Sequence, residues 1–199
     1  MLDSIGSTSW HHRHLACFQT LARILADEGQ RERLVIVIGP GAVCYGLHLL
    51  LNDAANENAW RVRKLIGDAA RYSDQLLRRI PVLPLITLEP VELTQTIPAP
   101  HRLVVIDRSP RILAAAARQL PAADRLLLDI GRQAPPARAD VVVAFNVICR
   151  LDDPPSGMHN VASAVADGGY LLIDDRSAAA CRNELSQFRE IAPKIRRRI

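Results

Sequence analysis

The chain has 199 residues, 49% hydrophobic and 23% charged, which excludes disorder, a collagen-like repeat or a coiled coil as a description of the whole. That length suits one domain with its own core, so 1–199 reads as a single domain. The net charge of +4 comes from 25 basic residues, of which only Lys64 and Lys194 are lysines. Aromatics make up 4%, which leaves little for base stacking, so nucleic acid is not expected as a partner.

Cys17, Cys44, Cys149 and Cys181 lie far apart with no CxxC pair. They read as small buried residues, not as a zinc site or a disulfide framework, and no metal is expected. No stretch is apolar for the ~18 residues a membrane span needs, and the first residues hold no signal-peptide core. The expectation is a cytoplasmic protein with no membrane partner.

In chain order, Trp10, His11, His12 and His14 come first. The histidines read as a surface turn, with a lid over a pocket as the second reading. Trp10 is either a substrate wall or a core anchor for the N-terminal helix. That helix is amphipathic, with Leu15, Phe18, Leu21 and Leu25 on one face, and ends near Glu28-Gly29. Residues 1–30 are thus a helical cap. Leu34–Ile38 is a continuous apolar run, a strand covered on both faces. It enters Gly39-Pro40-Gly41, where missing side chains let a ligand lie against backbone, and an apolar helix is expected to follow.

Residues 52–100 read as an insertion. Its helical pattern (Trp60, Leu65, Ala69, Leu76, Ile80) is expected to pack an apolar face over the sheet or against a second copy. Pro81, Pro84, Pro90, Pro98 and Pro100 then forbid a regular central strand, while Leu85–Leu88 remains a short edge strand.

Four further apolar runs follow. Leu103–Ile106 ends in Asp107-Arg108, Leu126–Leu128 in Asp129-Ile130, and Val141–Phe145 in Asn146. Gly168-Gly169 is expected to close a helix and open the strand Tyr170–Ile173. Strand and helix alternate, so the fold class is α/β: a Rossmann-like, doubly wound, mostly parallel sheet flanked by helices. An acid at a strand end, as at Asp107, can accept both hydroxyls of a ribose. It can equally open the next helix together with Ser109.

The ordered series Gly39/Gly41, Asp107, Asp129-Ile130, Phe145-Asn146 and Gly168-Gly169 resembles the class I S-adenosylmethionine-dependent methyltransferase family, best from Leu103 to Asp175. The resemblance implies S-adenosylmethionine as cofactor, held by Gly39, Pro40, Gly41, Asp107, Arg108, Asp129, Ile130, Phe145 and Asn146. It implies methyl transfer to an acceptor, expected to be a small molecule. No catalytic residue is assigned, because the sulfonium methyl is already electrophilic and a base is needed only for a protonated nucleophile.

The sequence departs from the family at several points. Val37 stands where the family has an acid, and losing one charge-assisted partner weakens binding by ~1.5–3 kcal/mol. Val43 replaces the third glycine. Gly39 and Asp107 are too far apart for one helix between them. An alternative register makes Leu85–Leu88 the second strand and Glu89 the ribose acid, but only Asp107 keeps the downstream spacing. The stretch after the fifth strand is short, and Ile191–Ile199 reads as too basic and too brief for a closing antiparallel hairpin. A shortened C-terminal end is therefore expected, its sheet edge covered by the insertion or by a homodimer contact. Val37 and Val43 also motivate a second reading, a non-catalytic methyltransferase-like binding or assembly module. A nicotinamide-dependent oxidoreductase would need glycine at Cys44.

Overall fold

The computed structural model describes residues 14–44 and 76–199, together with Ala69 and Ser73. Helix α1 (Leu15–Asp27) precedes strands β1 (Arg33–Ile38) and β2 (Ala42–Cys44). Then come β3 (Leu85–Thr87), α2 (Glu89–Thr96), β4 (His101–Asp107) and α3 (Pro110–Gln119). The second half holds β5 (Asp124–Leu127), β6 (Ala139–Ala144), α4 (Pro154–Ser163), β7 (Val165–Ile173) and α5 (Asp175–Ala180). A hairpin of β8 (Phe188–Ala192) and β9 (Ile195–Arg198) ends the chain.

Seven strands form one sheet in the order β5-β4-β1-β6-β7-β9-β8, parallel from β5 to β7 and antiparallel at the hairpin. Side chains alternate across a strand, so Val35, Val37, Val105, Val141 and Val143 share one face, under Phe18, Leu21 and Leu25 of α1 and Leu93 of α2. Ile36, Ile38, Ile106, Val142 and Ala144 take the other, under Met158, Val161 and Ala162 of α4 and Ala178 of α5. Burial on both faces is why these strands read as unbroken apolar runs. The α/β, Rossmann-like expectation holds.

The link from α1 to β1 sets where α1 begins. Arg33 is fully buried, and its Nη2 donates to Leu25 O (2.8 Å) in the last turn of α1 and to Gly29 O (2.9 Å) just beyond the helix. The helix C-terminus is thereby pinned to the start of β1, and the two run antiparallel. Thirteen helical residues rise ~20 Å, about the length of a six-residue strand. The first turn of α1 therefore lies at the carboxyl ends of the strands.

Several expectations are corrected. The C-terminal end is not shortened: β8 and β9 pair around Pro193-Lys194, with Lys194 at φ 66°, and β9 pairs with β7. A two-residue turn lets strands of five and four residues suffice. The basic side chains find partners, Arg196 at Glu190 and Arg198 at Asp167. Directly after Gly41 comes strand β2, and the helix expected to follow the glycine loop falls on residues 45–68, outside the described residues. Strand β2 pairs antiparallel with β3 in a separate two-stranded sheet, so Leu85–Thr87 is no edge strand of the main sheet. That small sheet is fastened to α3, where Gln119 Oε1 accepts from Thr87 N (2.6 Å) and Arg118 donates to Leu85 O (2.9 Å).

Gly168-Gly169 does not cap a helix either, because α4 ends at Ser163 and Ala164 is in right-handed conformation. The pair lies in a bulge of β7, with Gly168 at φ 74°. A Cβ on Gly169 would lie 2.9 Å from Ala166 O and 3.0 Å from Asp140 O. In the insertion, Ala69, Leu76 and Ile80 are exposed, whereas Leu77 and Leu83 pack near Ala42, Leu85 and Ala115. The packed face is thus turned from the one expected. Trp10, His11, His12, Trp60 and Leu65 lie outside the described residues. Among the described residues no helix is long and apolar enough to cross a membrane.

Candidate functional site at the carboxyl ends of the strands

The parallel strands β1, β4, β5, β6 and β7 run out into Gly39, Asp107, Asp129, Asn146 and Asp174 respectively. From β1 the chain reaches β4 on one side and later β6 on the other, so the strand order reverses at β1. In an open α/β sheet such a reversal opens a crevice at the carboxyl ends.

Asp107 ends β4 and is 8% exposed. Its Oδ1 accepts from Ser109 N at 2.7 Å, forming a local turn that opens α3, and Ser109 makes no side-chain cap of its own. The contact the structure shows for this acid is the helix-opening one. A carboxylate has about four lone-pair positions, so this contact leaves capacity for a ligand. Burial pushes the Asp107 carboxyl up to about 6, against the Ser109 hydrogen bond and the Arg108 and Arg78 guanidiniums, which pull it down. Arg78 is brought there by Arg111, which donates to the carbonyls of Arg78, Ile80 and Leu83. Arg108 itself is exposed.

Backbone ladders bring Gly39, Asp107 and Asp129 side by side. Gly39 N donates to Ile106 O (2.8 Å), and Leu128 N donates to Asp107 O (3.1 Å). Asp129 Oδ1 accepts from Gly131 N (3.0 Å), and Arg132 lies 3.7 Å from its other oxygen. Ile130 is separated from this group. It is buried in the core under α4, with Asn160 Nδ2 on its carbonyl at 2.8 Å.

The loop after β1 differs from its expected use. Gly39 is at φ 60°, which suits glycine, and a Cβ there would lie 2.5 Å from Val147 Cγ2. The hollow left by the missing side chain is filled by the corner after β6. Pro40 is buried, and Gly41 leads directly into β2.

That corner is held by a residue to which the sequence assigned no role. Asp174, at the end of β7, accepts from Asn146 N (2.7 Å), Ser177 Oγ (2.7 Å) and Ser177 N (2.9 Å). Burial pushes its carboxyl up, but these hydrogen bonds outweigh burial and hold it below its ordinary value. Asn146 is thereby fixed at φ 56°. The spacing Asp174-x-x-Ser177 is a helix-capping pattern and was the available sequence signal.

His14, read first as part of a surface turn, is buried. Its ring is 3% exposed and lies flat on Phe145, with centroids 3.9 Å apart and planes at 11°. A surface turn is therefore the wrong reading for this histidine, because the first turn of α1 sits over the apolar end of β6. Among the described residues no group of three or more His, Cys, Asp or Glu could hold a metal ion.

Residues 91–171, from α2 into β7, match the family model described as "Methyltransferase domain". That matched segment is less than half of the chain and resembles this family. It contains Asp107, Asp129, Phe145 and Asn146, and leaves Gly39-Pro40-Gly41 outside. No curated protein matches the chain.

Solved structures that resemble it include three methyltransferases. The N-methyltransferase NodS from Bradyrhizobium japonicum WM9, in complex with S-adenosyl-l-homocysteine, is 17% identical, with 84% of this chain and 64% of that one covered and a TM-score of 0.44. CalS10, an amino pentose methyltransferase from Micromonospora echinaspora, is 15% identical over 84% of this chain and 51% of that one, at 0.44. The sugar N-methyltransferase KedS8 from Streptoalloteichus sp ATCC 53650 is 19% identical over 86% and 58%, also at 0.44. The chain spans less than two thirds of the length of each.

Proposed function

We propose that the chain is an S-adenosylmethionine-dependent methyltransferase acting on a small-molecule acceptor. The observation that carries this is the buried Asp107 carboxylate on the strand next to β1, beside the reversal point, within the segment that matches the family. Its chemistry fits a nucleoside. A carboxylate in a poorly solvated place is unfavourable alone, and two ribose hydroxyls donating to it would relieve that cost.

Gly39, Pro40 and Gly41 would lie along the amino-acid end, Asp107 and Arg108 at the ribose, Asp129 near the base, and Phe145 and Asn146 beside the methyl-bearing end, whereas Ile130, buried under α4, would not reach the ligand. When bound, the cofactor supplies a methyl group on a positively charged sulfur, which needs only a nucleophile held in line and kept from water.

A second reading is a methyltransferase-like module that binds without transferring. Val147 in the hollow of Gly39, and Val37 in place of an acid, favour it.

Isothermal titration with S-adenosylmethionine and S-adenosylhomocysteine tests the first reading. Both are expected to bind. Asp107→Ala is expected to lower affinity at least about tenfold, the loss of one charge-assisted bidentate contact, whereas Glu89→Gln leaves it unchanged. If neither ligand gives heat at millimolar concentration, the enzyme reading fails and the module remains.

A further inference from the structure

We infer that the crevice grips its ligand by the nucleoside alone and leaves the amino-acid tail of S-adenosylmethionine ungripped, so that 5′-thioadenosine compounds bind whether or not they carry that tail. The inference rests on the cofactor reading and deepens it: the residues present fit one half of the cofactor and not the other.

The half that fits lies on the β4–β5 side. Asp107, buried at the end of β4, keeps acceptor capacity beyond its bond to Ser109 N, and two ribose hydroxyls are the donors such a carboxylate lacks. Asp129 stands half-buried at the end of the next strand, with Gly131 N on one oxygen and Arg132 3.7 Å from the other. It can still accept from an amino group on the base.

Among the described residues, the other half finds no such reception at the β1 exit. An amino-acid tail carries an ammonium and a carboxylate, so it needs an acid for the first and N–H donors for the second. Strand β1 offers no acid: its last residues, Val37 and Ile38, are buried in the apolar core on either side of the sheet. Asp174 is taken up by three donors, and Glu89 and Glu92 on α2 are buried and engaged. Donors are short as well. Gly39 N is committed to Ile106 O, Pro40 has no N–H, and Asn146 N is committed to Asp174. So is space. The hollow that a glycine leaves for the close approach of a ligand is occupied by Val147, whose Cγ2 would lie 2.5 Å from a Cβ on Gly39. Charged groups desolvated there without partners are worse off than in water, so the tail stays in solvent.

Two thioethers test this, because S-adenosylhomocysteine and 5′-methylthioadenosine share the nucleoside and the sulfur and differ only in the tail. Each would be titrated calorimetrically into the full chain. A site that grips the tail gains roughly tenfold or more for each charge-assisted contact, whereas here the two dissociation constants are expected to agree within about fivefold. Asp107→Ala is expected to weaken both alike. Saturation-transfer NMR gives a second readout that does not depend on affinity: with S-adenosylhomocysteine, the ribose and base protons are expected to receive the most saturation from the protein and the tail protons the least. S-adenosylhomocysteine binding more than about fivefold tighter than 5′-methylthioadenosine, or tail protons saturated as strongly as the ribose, would overturn the inference while leaving the cofactor reading intact. If 5′-methylthioadenosine binds and neither S-adenosylhomocysteine nor S-adenosylmethionine does, the nucleoside grip stands and the cofactor reading fails. No heat from any of the three at millimolar concentration sinks both.

Discussion

The two flanks of the crevice are built on different principles. On the β4–β5 side, acids at strand ends turn back on their own backbone, Asp107 on Ser109 and Asp129 on Gly131. Each such device is made within a few residues. On the β1–β6 side, the wall is assembled from distant parts. Val147 fills the hollow of Gly39, Asp174 holds Asn146, and His14 lies on Phe145. The first flank and the β6 part of the second (Phe145, Asn146 and Val147) fall within residues 91–171, which match the methyltransferase family, whereas Gly39, His14 and Asp174 fall outside.

Substitutions probe that contrast, and the largest effect is expected at Asp174. Asp174→Ala strips the acceptor from three donors and removes a helix cap, so urea unfolding should show a loss of about 3 kcal/mol. Asp174→Asn, which keeps one acceptor and caps nearly as well, should lose about 1 kcal/mol. The folded-state pKa of Asp174 lies below its ordinary value, so its contribution is present at neutral pH and is lost as pH falls through that lowered value. Acid unfolding of Asp174→Asn should accordingly be shallower than that of the native chain.

Gly39→Ala comes next. It forces a positive φ on alanine and drives a Cβ into Val147, at an expected cost of about 2–3 kcal/mol. Pairing it with Val147→Ala should recover about 1 kcal/mol in a double-mutant cycle. If Gly39→Ala instead leaves stability alone and only weakens ligand binding, the assembled-wall account is wrong and the glycine serves the cofactor directly.

The smallest change is expected at Asp107, and with opposite sign. Its carboxyl is raised to about 6, so folding favours the protonated form and stability falls as pH climbs through that value. Asp107→Asn should therefore raise the melting temperature at pH 8, by the equivalent of about 1–2 kcal/mol, and have little effect at pH 4. A variant that is more stable yet binds less would mark Asp107 as a residue kept for its ligand.

Much of this was legible in the chain itself. The runs Leu34–Ile38 and Val141–Phe145 announce strands buried on both faces because burial acts on each residue where it stands. Asp107 is legible because a strand end and a helix start meet within three residues. The hairpin was not, since Ile191–Ile199 read as too basic and too brief until Glu190 and Asp167 came within reach of its arginines. The insertion's buried face fell on Leu77 and Leu83, set by contacts with α3 that its own periodicity does not record.

By itself the sequence determined the alternation of strands and helices, the Rossmann-like class and the acids that end the strands, because periodicity, propensity and capping act over a few residues. Only the tertiary structure decided that β2 pairs with β3, that Val147 occupies the hollow of Gly39, and that His14 is buried on Phe145. Those contacts join residues far apart along the chain. Their energies appear only after the sheet has brought the partners together, so no local pattern announces them.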